Sequence, residues 1–248
     1  MLSIRNLIMA ALPHVLISTT LCAQDADDFW VGRTQAGELV LTGFDYQHEL
    51  VPLPPVSGLL NGWADNEPGF DRVILADPAQ DLYTLEAGAQ IWLRVLEVDP
   101  AFRVIDASFN ILDSPGEQTL LGGANLHTHV TWHINSNSPT FNGEQCIWRA
   151  TFQLLDFGST GYEPSTPFLI LFTNAEWTEA TGDWDNDGEV NLFDAARIPD
   201  CMNGPGQFPD PQQVTSCEVD CLNGFDFEAD LDVDLGDFAA FQRTFGAP

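Results

Sequence analysis

Residues 183–194 read Asp-Trp-Asp-Asn-Asp-Gly-Glu-Val-Asn-Leu-Phe-Asp, a short loop unusually dense in side-chain oxygen. Asp183, Asp185, Asp187, Asn191 and Asp194 occupy positions 1, 3, 5, 9 and 12, and Gly188 occupies position 6. Calcium takes six to eight hard oxygen ligands in a flexible shell. Short carboxylates on a sharply turned backbone therefore suit it, with the main-chain carbonyl of Glu189 at position 7 joining them. A second copy begins 43 residues later, with Asp226, Glu228, Asp230, Asp232, Asp234 and Asp237 at positions 1, 3, 5, 7, 9 and 12. Its position 6 is Leu231. A left-handed backbone costs a non-glycine residue about 1 to 2 kcal/mol, so the second loop is expected to be the weaker site.

Such loops need flanking elements to hold them. Val190 and Val233 share position 8, where paired loops place an apolar residue on a short bridge between them. The segments beginning at Asp194 and Asp237 read as exiting helices, and Phe238, Phe241 and Phe245 are spaced to share one helical face. No comparably clear helix enters either loop. Two loop-then-helix units with aspartate at position 12, near the C-terminus, resemble a type I dockerin over residues 181–248. That resemblance implies two calcium ions, folding that depends on them, and attachment through exposed helices to a cohesin-like or other cell-surface protein. The chain differs from cohesin-binding dockerins in its long spacer. It also carries Leu192, Phe193, Leu235 and Gly236 at positions 10 and 11, where small hydroxyl residues are usual.

A second chemical pattern lies upstream. In residues 126–134, Leu-His-Thr-His-Val-Thr-Trp-His-Ile, strand alternation would put Leu126, Val130, Trp132 and Ile134 on one face and His127, His129 and His133 on the other. His127 and His129 would then stand about 6 to 7 Å apart along the strand. Imidazoles so placed can chelate zinc or copper, with a third ligand such as His48 or a carboxylate supplied by another strand. The plainer alternative is a polar face turned to solvent. The HxHxxW pattern from His127 is also similar to one in bacterial surface-anchored proteins, some linked to zinc supply, which implies a metal-related role.

The remaining chain frames these sites. Residues 1–23 read as a secretory signal peptide with cleavage after Ala23, a lipid anchor on Cys22 being the rival. Residues 24–180 show short apolar or alternating runs at 38–44, 90–98, 102–108, 126–134, 147–155 and 167–173, separated by turn-forming clusters. They predict a mainly β fold, an antiparallel β-sandwich with Trp92, Trp132, Trp148, Phe152 and Phe168 in its core, followed by a small α-helical module over 181–248.

The chain carries 37 acidic residues against eight arginines and no lysine. That field repels nucleic acid and anionic membranes and draws in cations. No later run is long and apolar enough to span a bilayer. Cys146, Cys201, Cys217 and Cys221 allow three pairings, of which a bridge from Cys201 to Cys217 or Cys221 would close the spacer between the loops. GxSxG, HExxH and phosphate-cradling glycine loops are absent, and no enzyme is expected. Three functions follow: a calcium-dependent attachment protein, an accessory or carbohydrate-binding component of polysaccharide breakdown that uses exposed aromatics, and a surface protein that binds zinc or copper.

Overall fold

The computed structural model describes residues 28–211 and 217–245; the segment expected to be a signal peptide lies outside them. The first strands are β1 (Phe29–Arg33), β2 (Leu39–Gly43), β3 (Val51–Pro52), β4 (Pro55–Val56), β5 (Gly62–Asp65), β6 (Phe70–Arg72) and β7 (Ile91–Val98). They are followed by β8 (Phe102–Ile105), β9 (Ile111–Leu112), β10 (Gln118–Gly122), β11 (His127–Thr128), β12 (Thr131–Asn135), β13 (Ile147–Asp156) and β14 (Phe168–Thr173). Among the described residues the α-helices all come afterwards: α1 (Leu192–Ala195), α2 (Ile198–Cys201), α3 (Glu218–Phe225) and α4 (Leu235–Thr244). The protein is mainly β.

The strands form three sheets, ordered β11-β6-β1-β2, β10-β7-β13-β14-β3 and β4-β5-β12-β8-β9. Pairing is antiparallel except for β1 with β6 and β14 with β3. All three sheets turn apolar side chains into one core. Trp132 of β12 lies 5.6 Å from Phe152 of β13, 5.2 Å from Phe172 of β14 and 6.0 Å from Phe70 of β6. Phe102 stacks on Phe172 at 4.3 Å. Trp132, Trp148, Phe152 and Phe168 are buried as expected, whereas Trp92 faces outward on β7, half-buried against Phe157.

The strand expected over 126–134 is broken. His127 and Thr128 pair with β6 in the first sheet, and pairing resumes at Thr131 with β5 and β8 in the third. The chain changes sheets across His129 and Val130, so the alternation that put three histidines on one face does not carry through.

β13 keeps most of its alternation, but at its start and along β14 burial extends to the outer face, and the cause is a second apolar cluster there. Leu50, Ile147 and Leu171 of the β region are buried there together with Ile198, Val219, Leu222, Phe225, Leu231, Val233 and Phe241 from the C-terminal region. Two disulfides reinforce this joint. Cys201–Cys221 ties α2 to α3, and Cys146–Cys217 ties the start of β13 to the start of α3. Disulfides persist in oxidising surroundings, outside the reducing cytosol. Among the described residues no helix is long and apolar enough to cross a membrane.

Candidate functional site

The two acidic loops fold alike. In the first, Asp183 accepts hydrogen bonds from the N–H groups of Asp187 at 3.1 Å and Gly188 at 2.9 Å, which curls positions 5 and 6 around position 1. Asp226 does the same for Asp230 at 3.1 Å and Leu231 at 3.0 Å. The carboxylates at position 12 close both loops from the far end. Asp194 accepts from Trp184 at 2.7 Å and Asn191 at 2.8 Å; Asp237 accepts from Phe227 and Asp234, each at 2.8 Å. Asn191 and Asp234 also cap α1 and α4 in capping boxes, so the loop geometry and the helix starts are one device. Both loops take a left-handed backbone at positions 4 and 6, through Asn186 and Gly188 in one and Ala229 and Leu231 in the other. The demand at position 6 was legible in the sequence; that at position 4 was not.

Carboxylates converge in each loop. Oxygens of Asp183, Asp185 and Asp194 lie within 4.8 Å of one another, and so do those of Asp230, Asp232 and Asp237. The remaining residues with side-chain oxygen stand around these triads. Asp187 accepts from the N–H of Glu189 at 2.9 Å, Asn191 from that of Phe193 at 2.8 Å, and the Glu228 carboxyl lies over Gly236.

The second loop is the more enclosed. Asp226, Asp232 and Asp237 are all buried, and although Asp232 accepts from the N–H of Gly206, its Oδ1 meets no donor among the described residues. A buried carboxylate oxygen without a partner is costly unless a cation satisfies it. Burial pushes Asp226 up to about 6; the N–H groups of Asp230 and Leu231 pull it back, and the charges of Asp237 and Asp230 add to the rise. Burial likewise raises Asp232 and Asp237. An all-oxygen, multiply charged set with one orphaned oxygen fits a hard divalent cation.

The position-8 residues do not pair with each other in the way expected of a short bridge. Val233 is buried and its carbonyl accepts from the N–H of Asn203 at 3.3 Å, while Val190 packs at the edge of the second cluster. A helix missed in the sequence, α3, leads directly into the second loop. Its apolar residues are held by the cluster and by Cys221 rather than by a clear helical stripe. Trp184, at position 2 of the first loop, stacks on Phe225 at the end of α3 with centroids 5.5 Å apart, which couples the loops.

Leu231 has a role that its sequence position conceals. Its φ of +65° is strained, yet the side chain is 97 % buried in the cluster shared with Leu171 and Leu50. Replacing it by glycine relieves about 1 to 2 kcal/mol of backbone strain. The same change forfeits burial of a core leucine, for which truncation costs about 2 to 5 kcal/mol. Leu231→Gly, a substitution that restores the usual loop residue, is therefore expected to lower stability by about 1 to 3 kcal/mol. Denaturant midpoints measured in chelator decide the matter, and a gain in stability would show that strain dominates.

The histidines separate. His127 and His129 stay together, with ring centroids 5.3 Å apart. His133 goes elsewhere, fully buried on β12 with Nδ1 accepting from the Arg103 guanidinium at 2.8 Å, so it does not share a face with the other two. His48 pairs with Asp45 at 2.9 Å and lines a cavity beside the second acidic loop with Trp177, Asp226 and Phe227. The carboxylate that does reach His127 and His129 is Asp28, just before β1. No periodic signal singled it out, because β1 itself was not anticipated.

No family model and no curated protein matches the chain.

Proposed function

We propose that this chain is an exported, non-catalytic protein whose dockerin-like C-terminal module binds two calcium ions and mediates protein–protein attachment. The observation that carries the reading is the equivalence of the two loops. The same hydrogen bonds run from positions 1 and 12, and the same positions take positive φ, in segments 43 residues apart. The first ion would draw on Asp183, Asp185, Asp187, Asn191, Asp194 and the Glu189 carbonyl, and the second on Asp226, Glu228, Asp230, Asp232, Asp234 and Asp237. The β region is read as a sandwich, which the shared aromatic core between the sheets of β12 and β14 supports.

Attachment is supported by what the helix starts leave uncovered. Leu192, Phe193 and Leu235, at positions 10 and 11 beside the capping residues, are 75 %, 77 % and 73 % exposed. Large apolar side chains displayed at matching positions of two repeats suit a protein partner, and calcium binding would fix their orientation. In calorimetric titration the full chain is expected to take up two calcium ions. Leu192→Ser/Phe193→Ser/Leu235→Ser should then keep both ions and lose calcium-dependent binding to immobilised cohesin-type domains. Failure to take up calcium overturns the whole reading; calcium uptake without calcium-dependent retention on the cohesin-type domains overturns its attachment half.

A further inference from the structure

At one end of the first sheet, three strands bring together groups that neither calcium loop uses. Strand β6 is the middle of these three. Its Phe70 pairs with Phe29 of the parallel β1 on one side and with Thr128 of the antiparallel β11 on the other. One step outward along the same row stand Asp28, Gly69 and His129. Gly69 has no side chain, and the neighbouring groups use the space. A Cβ there would lie 2.4 Å from Nδ1 of His129, and its N–H donates to Oδ1 of Asp28 at 2.7 Å. A glycine between the two lets an imidazole and a carboxylate from flanking strands approach each other.

Ligand atoms of Asp28, His127 and His129 lie within 4.8 Å of one another. Asp28 is 1 % exposed, and its Oδ2 is buried with no hydrogen-bond donor among the described residues. That oxygen points to a cation independently of the clustering, because an unpaired buried carboxylate oxygen, with the Glu67 carboxyl close to the same side chain, is costly without one. The histidines are steadied by outer contacts. Nδ1 of His129 lies 3.1 Å from the Asn66 carbonyl and 3.4 Å from Oε1 of Glu67, and Nδ1 of His127 lies 4.0 Å from Asp71. The carbonyl acceptor at hydrogen-bond distance fixes the tautomer of His129 and leaves its other nitrogen free to bind, whereas Asp71 stands too far from His127 to hydrogen-bond it directly.

We propose that Asp28, His127 and His129 form a zinc site at the edge of the β region, separate from the acidic loops. Two imidazoles and one carboxylate are a familiar three-ligand set for zinc, leaving a fourth position for water or another donor. Tetrahedral zinc holds its donors about 3.4 Å apart, so atoms that already lie within 4.8 Å of one another need to close by at most about 1.4 Å. The largely exposed His127 ring is free to make that adjustment. The oxygen-only loops favour calcium, and the imidazole nitrogens give this site its preference for a softer ion.

The test uses the full chain with calcium in large excess, so that the acidic loops are filled, and zinc chloride as the titrant. One zinc equivalent is expected, with cobalt substitution giving the visible absorption of a tetrahedral site. Asp28→Asn and His127→Ala should each weaken zinc binding by more than about a hundredfold, beyond the loss typical of a supporting residue. Because Asp28 is buried, His127→Ala carries the decision, with an unchanged melting curve in calcium as the check on its fold. His48→Ala should bind zinc as the parent does. Absence of zinc uptake in calcium excess, or uptake that survives His127→Ala unchanged, overturns the assignment.

Discussion

Chelation at neutral pH is expected to unfold α3, α4 and both acidic loops well before the sheets. A site whose ion is present at about a thousand times its Kd contributes about 4 kcal/mol, and two such sites are a large share of the stability of a domain this size. The C-terminal region has little else to offset its own charge. Asp230, Asp232 and Asp237 crowd together, and Asp226 is buried beside them. The pH response should betray the cause. In the ion-free fold Asp226 sits at about 6 against an ordinary 3.8, so the folded chain holds that proton more tightly than the unfolded one. Stability of the ion-free protein must therefore fall as pH rises from about 4 through about 6. Calcium competes with the same proton, so its stabilising effect should grow across that interval. Hydrogen exchange of Glu218–Phe225 and Leu235–Thr244, with and without EGTA, reads the effect directly. Equal protection in both conditions would remove calcium from the account of this fold.

The geometry of the acidic loops was legible because it is local. Ligand spacing, the turn at position 6 and the cap at the helix start all lie within twelve residues, and backbone geometry links them whatever the rest of the chain does. The β class was legible for the same reason, with β7, β13 and β14 read close to their observed limits. Even the mostly buried character of β14 was written in the run Phe-Leu-Ile-Leu-Phe, which lacks alternation because both of its faces meet apolar surfaces.

What escaped depended on partners remote in sequence. Strand β1 reads as a short apolar stretch after acidic residues, and only its pairing with β6 and β2 makes it a strand. The histidine segment alternates without interruption, yet Trp132 and Ile134 are claimed by one sheet and His127 by another. A change of sheet costs the chain two unpaired residues, and periodicity carries no mark of it. Asp28 belongs to the same class of omission, since its neighbours come from residues 69 and 127–129.

Cys146→Ser/Cys217→Ser is expected to cost about 3 kcal/mol and to loosen the joint between the C-terminal region and the β region. The bridge spans 71 residues and joins the start of β13 to the start of α3, so in the unfolded chain it restrains a long loop. The chain-entropy argument gives about 4 kcal/mol for a loop of that length. The observed loss should be smaller, because Leu50, Ile147 and Leu171 still pack against Leu222, Phe225 and Leu231 when the sulfurs are gone. That residual packing makes a sharper prediction. With that tether gone the acidic loops lean more heavily on their ions, so the double substitution should cost more in EGTA than in calcium, with the difference exceeding about 0.5 kcal/mol, the scatter of independent sites. The Cys201–Cys221 bridge lies wholly within the C-terminal region and closes only 20 residues, so its removal should weaken that region without releasing the face of β14. Hydrogen exchange along Phe168–Thr173 distinguishes the two, since Leu171 loses its cover only when the regions part. If the double substitution leaves both that strand's protection and the calcium dependence unchanged, the shared apolar cluster alone holds the regions together.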